Sequence, residues 1–111
     1  MWTESYATRS YAHLAATTAG HLKAYQLLLE RAILLVRRAR VGDMAARDRA
    51  QDIVAQVQSG LNLGALGAPQ LFEVLGYTWD ALEWNANVYY DRAEDLLRQV
   101  RELVVEIQRM R

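Results

Sequence analysis

The chain has 111 residues, 52% hydrophobic and 23% charged, a globular composition sized for a single domain spanning the whole sequence. Its 13 basic and 13 acidic side chains cancel, which argues against a dedicated nucleic-acid binder or a polybasic membrane-surface protein. Cysteine is absent, so disulfides, thiolate zinc sites and iron–sulfur clusters are excluded.

The longest apolar run, Ala32–Val36, falls far short of the roughly 20 residues a membrane span requires. The polar start (Thr3, Glu4, Ser5) lacks a signal-peptide core. The expectation is a soluble, cytoplasmic protein. Charge is unevenly divided, however. Residues 1–51 carry 8 basic and 4 acidic groups, residues 52–111 carry 5 and 9, so the halves should attract when folded together.

Ala, Leu, Arg, Glu and Gln dominate, Pro69 is the only proline, and no stretch alternates with period two. The chain reads as all-α. Residues 1–16 (Trp2, Tyr6, Tyr11, His13, Leu14) form an aromatic N-terminal arm or short helix, and residues 17–111 form the bundle. A first long helix runs from about Thr18 to Val41, with Thr17 or Thr18 as N-cap. Leu22, Tyr25, Leu28, Leu29, Ala32, Leu35, Val36 and Ala39 make its apolar face. Gly42 ends it and Asp43 caps the next helix.

The second helix spans roughly Met44–Leu63. Ala46, Ala50, Ile53, Val54, Val57 and Leu61 lie on its inner face, and Gln51, Asp52, Gln56, Gln58 and Ser59 face away. Residues 64–69 form a loop, and Pro69 starts a third helix, where its missing N–H is not needed. That helix reaches about Asn87 or Tyr90, with Leu71, Phe72, Leu75, Trp79, Leu82 and Ala86 on one face. Asp91 and Glu94 have capping-box spacing for a fourth helix carrying Leu96, Leu97, Val100, Leu103, Val104 and Ile107 inside. The apolar phase continues through residues 87–91, so one bent helix is the alternative. Four such helices with short loops make an antiparallel four-helix bundle.

Catalytic patterns are sparse. His13 and His21 are the only histidines, and Glu-x-x-His does not occur, so a di-iron site is unsupported and no metal is expected. No phosphate-binding glycine loop is present, and nothing marks a Ser/His pair. The Glu102/Glu106 and Asp80/Glu83 pairs read as solvated, and Arg37, Arg38 and Arg40 suit a helix C-terminus without any partner. No cofactor is implied.

Apolar residues, by contrast, are in surplus. Leu27 and Leu34, with Val41 extending their line, lie off the main face of the first helix. Val74, Tyr77, Ala81, Trp84 and Val88 follow steps of 3, 4, 3 and 4 along the third helix, making a second seam. Either each helix touches two neighbours in the bundle, or the seams form a groove for another helix with Trp and Tyr as anchors. The aromatic arm is a candidate cover for such a groove.

The segment from Arg49 to Leu61, Arg-Ala-Gln-Asp-Ile-Val-Ala-Gln-Val-Gln-Ser-Gly-Leu, is similar to a helix of the flagellar export chaperone FliS family. Tyr11, Thr18-Ala19, Ala32 and Ala39 also fit that family's pattern, and Ala86-Asn87 followed by Asp91 resembles its junction between the last two helices. Gly20-His21 and Leu29-Glu30 depart from the family's usual Ser-Pro and Tyr-Asp, and Leu75–Trp79 only loosely echoes its aromatic stretch. The resemblance spans about residues 11–110. It implies a cytoplasmic, non-enzymatic helical bundle that binds the disordered C-terminal segment of flagellin, prevents premature assembly and delivers it to the export apparatus. On this reading Tyr11, Leu27, Leu34, Val74, Tyr77, Trp84 and Val88 face the client. Two rivals are a structural bundle that self-associates, for example as a homodimer, and a small all-α enzyme of chorismate-mutase type. The latter chemistry wants converging basic groups, and Lys23 is the only lysine.

Overall fold

The computed structural model describes residues 4–65 and 67–110, with side chains from Leu22 onward. Four helices follow one another: α1 (Glu4–Arg40), α2 (Met44–Gly60), α3 (Ala68–Glu83) and α4 (Asn87–Arg109), with no strand among the described residues. They form an antiparallel four-helix bundle in cyclic order. α1 packs on α2 and α4, and α3 packs on the same two, so α1 and α3 occupy diagonal corners.

The turns hold where local chemistry dictates them. Gly42 adopts φ +103°, a left-handed conformation that a glycine takes without penalty after a helix. Asp43 then caps α2, its carboxylate accepting the Ala46 N–H at 3.0 Å. Pro69 sits in the first turn of α3 behind Gly67, whose φ is +81°. A side chain at Gly67 would also meet the Ile107 methyl at 2.9 Å, so the glycine admits α4 close to the loop.

Several boundaries differ from the sequence reading, among them the end of α2, which stops at Gly60 and not at Leu63. Helix α1 runs without a break from Glu4, so neither Thr17 nor Thr18 caps it and the arm is not a separate element. Residues 4–19 are rich in alanine and contain no proline, and Gly20 in a helix interior costs only about 1 kcal/mol. Helix α3 stops at Glu83, and α3 and α4 are two helices, not one bent one. The chain turns at Asn85, which holds φ +47°, and asparagine tolerates that region better than most residues. Its side-chain oxygen accepts the buried Tyr90 hydroxyl at 2.6 Å, which fixes the turn against α4. Asp91 is consequently inside α4, not its cap; the cap position is Ala86, with no side-chain bond. Asp91 instead pairs with Arg40 at 2.9 Å.

The core follows the helical spacing. Leu29, Leu35 and Val36 of α1, Val54 and Val57 of α2, Leu75 and Leu82 of α3, and Tyr90, Leu97, Val100 and Val104 of α4 are fully buried. Ala32 and Ala39 of α1 and Ala46 and Ala50 of α2 are all buried, and such small side chains let packed helices approach closely. Phe72, Trp79 and Leu103, expected inside, are partly exposed because they lie on the flanks of their helices.

The α1–α4 and α2–α3 seams carry polar ladders. Between α1 and α4, Glu30 pairs with Arg101 at 3.0 Å and Arg37 with Glu94 at 3.2 Å. A step of seven up α1 thus matches a step of seven down α4, the register of an antiparallel pair, and Gln108 donates to Gln26 at 2.9 Å at the far end. These contacts join the basic first half of the chain to the acidic second half. Hydrogen bonds from Gln26 and Arg101 hold the Glu30 carboxyl below its usual range. Burial pushes Glu94 up, but bonds from Arg98 and Arg37 outweigh it and leave that carboxyl lowered as well.

Between α2 and α3, side chains of α2 reach backbone carbonyls of α3. Arg47 donates to Leu82 O at 3.1 Å, Gln51 to Trp79 O at 3.3 Å and Gln58 to Phe72 O at 3.0 Å. Gln51 also donates to the Glu83 carboxylate at 2.8 Å. Gln51 was expected to face solvent; it is buried, because the two bonds satisfy its amide at the helix interface.

Candidate functional surface

Exposed apolar side chains gather in three places on the bundle. The first is the outer face of α1, where Leu27 and Leu34 are each 55% exposed and Val41 follows beyond the helix end. These positions point away from the core because the buried residues of α1, centred on Leu29 and Val36, occupy the opposite side of the helix.

The second lies at the turn between α3 and α4. Trp84 is 67% exposed and Val88 69% exposed, and the Trp84 ring stacks on Tyr89 with centroids 5.9 Å apart. The Asn85–Tyr90 bond sits directly beneath this cluster and holds the turn on which Trp84 is mounted. An exposed aromatic on a fixed turn can enter a contact with little ordering cost, since the turn is already set.

The third is a shallow groove of about 450 Å³ on the outside of the α2–α3 seam. Leu63, Pro69, Phe72 and Tyr77 line its apolar floor, Glu73 and Asp80 its edge, and Gln58 its α2 side. Gly76 allows this close approach: a Cβ there would come within 3.3 Å of the Gln58 amide that bonds Phe72. The Leu63, Phe72 and Tyr89 contributions were not singled out from the sequence. Leu63 falls just beyond α2, and Phe72 shares the spacing of the α3 core face, so periodicity alone does not mark either as a surface residue.

The six described residues among the seven proposed from the sequence therefore do not form one groove. Leu27 and Leu34 occupy one corner of the bundle, and Tyr77, Trp84 and Val88 lie on and beyond the diagonal helix. The seam read along α3 divides. Ala81 is buried in the core and Val74 is half-buried against it, whereas Tyr77 and Trp84 face outward. Val88 belongs to the first turn of α4. The side chains of Tyr11, His13 and His21 lie outside the described residues.

Among the described residues, no three His, Cys, Asp or Glu side chains converge as metal ligands, and no buried side-chain polar atom is left without a partner. No helix is long and apolar enough to cross a membrane, again among the described residues. The surface offers apolar anchors flanked by charge, a set suited to binding a polypeptide. Compared with models of known protein families, with curated proteins and with solved structures, the chain finds no match.

Proposed function

We propose that this chain is a cytoplasmic, non-enzymatic export chaperone of the flagellin-binding type. On this reading it holds the disordered C-terminal segment of flagellin, keeps it from polymerising and hands it to the export apparatus. The observation that carries the proposal is the placement of the exposed anchors. Leu27 and Leu34 lie on one corner, Tyr77, Trp84 and Val88 on and beside the opposite one.

A folded partner with one flat interface cannot reach both corners at once. An extended segment can. The bundle measures 41 × 29 × 19 Å along its principal axes, so a path halfway around its waist is about 40 Å. At roughly 3.3–3.6 Å per extended residue, that is about 12 residues of client. A disordered chain can supply them, at an ordering cost of about 2–5 kcal/mol offset by burial on the anchors. The helical pattern shared with the FliS family, most clearly in Arg49–Leu61, points to flagellin as that client.

The test is direct. The purified chain is titrated calorimetrically with a synthetic flagellin C-terminal peptide and, in parallel, used to capture partners from its native cytosol. Saturable binding with a negative heat-capacity change, together with recovery of flagellin, supports the proposal. Failure of the peptide to bind at the highest soluble concentration rejects it.

A further inference from the structure

The outer faces of α1 and α3 are complementary to each other, yet they cannot meet within one molecule. On α1 and just past its end, Lys23, Leu27, Arg31, Leu34, Arg38 and Val41 succeed one another at steps of three or four, all exposed. On α3 and its cap, Glu73, Tyr77, Asp80 and Trp84 do the same. The first stripe alternates cations with aliphatic side chains. The second alternates carboxylates with aromatic rings, and α3 contains no basic residue at all.

These charges are largely unspent. Lys23, Arg31, Glu73 and Asp80 enter no ion pair with any described residue, and Arg38 has only a 3.4 Å contact to Asp43. The neighbouring Arg37, Arg40 and Glu30, by contrast, are engaged with α4.

We infer that the α1 face of one copy docks on the α3 face of a second copy. The spacing permits it in detail. Arg31 and Arg38 are seven residues apart, as are Glu73 and Asp80. Laid parallel, Arg31 meets Glu73, Leu34 meets Tyr77, Arg38 meets Asp80 and Val41 meets Trp84. Laid antiparallel, the ion pairs exchange and Trp84 meets Leu27. In both arrangements two ion pairs enclose an apolar pair, the pattern of a helix–helix seam.

Because the two faces sit on diagonal corners, the contact is heterologous: each copy offers one face and keeps the other free. Association therefore continues into short chains and does not stop at a dimer. The α3 stripe is about 17 Å long, from 11 residues at 1.5 Å rise, so the contact buries less than the ~1,200 Å² of stable complexes. It is weak, reversible and sensitive to salt. It requires no client, but it covers Leu27, Leu34, Tyr77 and Trp84, so a bound client and a second copy compete for the same side chains.

Sedimentation of the full chain over a wide concentration range tests this. At low ionic strength the weight-average mass rises continuously past the dimer, and salt near 1 M, where the Debye length is about 3 Å, returns it to monomer. Arg31→Glu and Asp80→Arg each abolish association when alone, with unchanged helicity by circular dichroism. Mixed together they restore association at least to the dimer, because each then supplies the one face the other has lost. A chain that stays monomeric at all concentrations overturns the inference. So does a mass that saturates at the dimer, or single reversals that leave association unchanged.

Discussion

Replacing Gln51 probes how α2 is held to α3. Its amide lies at an interface where it donates to the Glu83 carboxylate at 2.8 Å and to Trp79 O at 3.3 Å. A hydrogen bond to a charged acceptor contributes about 1.5–3 kcal/mol, and the lower end applies because the exposed Glu83 is rehydrated once the amide is gone. Gln51→Ala also removes a buried methylene, about 0.8 kcal/mol, so the expected loss is about 2 kcal/mol. Gln51→Leu loses the same bonds but buries a side chain of similar size, about 1.5 kcal/mol or more, and should fall within about 1 kcal/mol of the parent. Urea unfolding followed by circular dichroism measures both, and the alanine variant should melt about 8 °C lower. If leucine costs as much as alanine, or alanine costs under about 0.5 kcal/mol, the account of this seam is wrong.

Three further outcomes follow from the geometry. Trp84→Ala should weaken binding of the flagellin C-terminal peptide by about 2 kcal/mol or more, roughly 30-fold in Kd, since burying the exposed part of a Trp ring contributes that much at about 25 cal/mol per Å²; calorimetry reads it, and an unchanged affinity removes Trp84 from the surface. Tyr90→Phe deletes the hydroxyl bonded to Asn85 and should cost about 1 kcal/mol in denaturant unfolding, with quenching of Trp84 fluorescence altered as the turn loosens. Glu30 and Glu94 both have carboxyls lowered in the fold from 4.5, so their contribution is present above that value and is lost as pH falls through the folded values. Melting temperature should thus decline in acid, and Glu94→Gln should flatten the decline; a pH-independent melting temperature across that window would contradict the ladder.

The bundle was legible because its signals are local. Helical spacing of Leu, Val and Ala, the Gly42–Asp43 turn and Pro69 each act within a few residues, and all of them fall where the periodicity places them. A break between α3 and α4 was legible but its position was not, because the apolar phase runs straight through it and the reversal rests on Asn85, whose left-handed backbone is secured by a side chain five positions away. Gln51 was missed for a related reason: hydropathy ranks an amide as a surface group, whereas its two acceptors belong to another helix. The surplus of apolar residues on α1 and α3 could be read from spacing, but their division between diagonal corners depends on the cyclic order of the helices, which no single segment encodes.

The closure of α1 against α4 has a consequence during synthesis. The first and fourth helices of the bundle are partners, joined by Arg37–Glu94, Glu30–Arg101 and Arg40–Asp91. A growing chain that has not yet made α4 leaves one flank of α1 and one of α3 bare, so the bundle closes only once α4 has been made. Until that moment the growing chain itself has the sticky surfaces of an unfolded client.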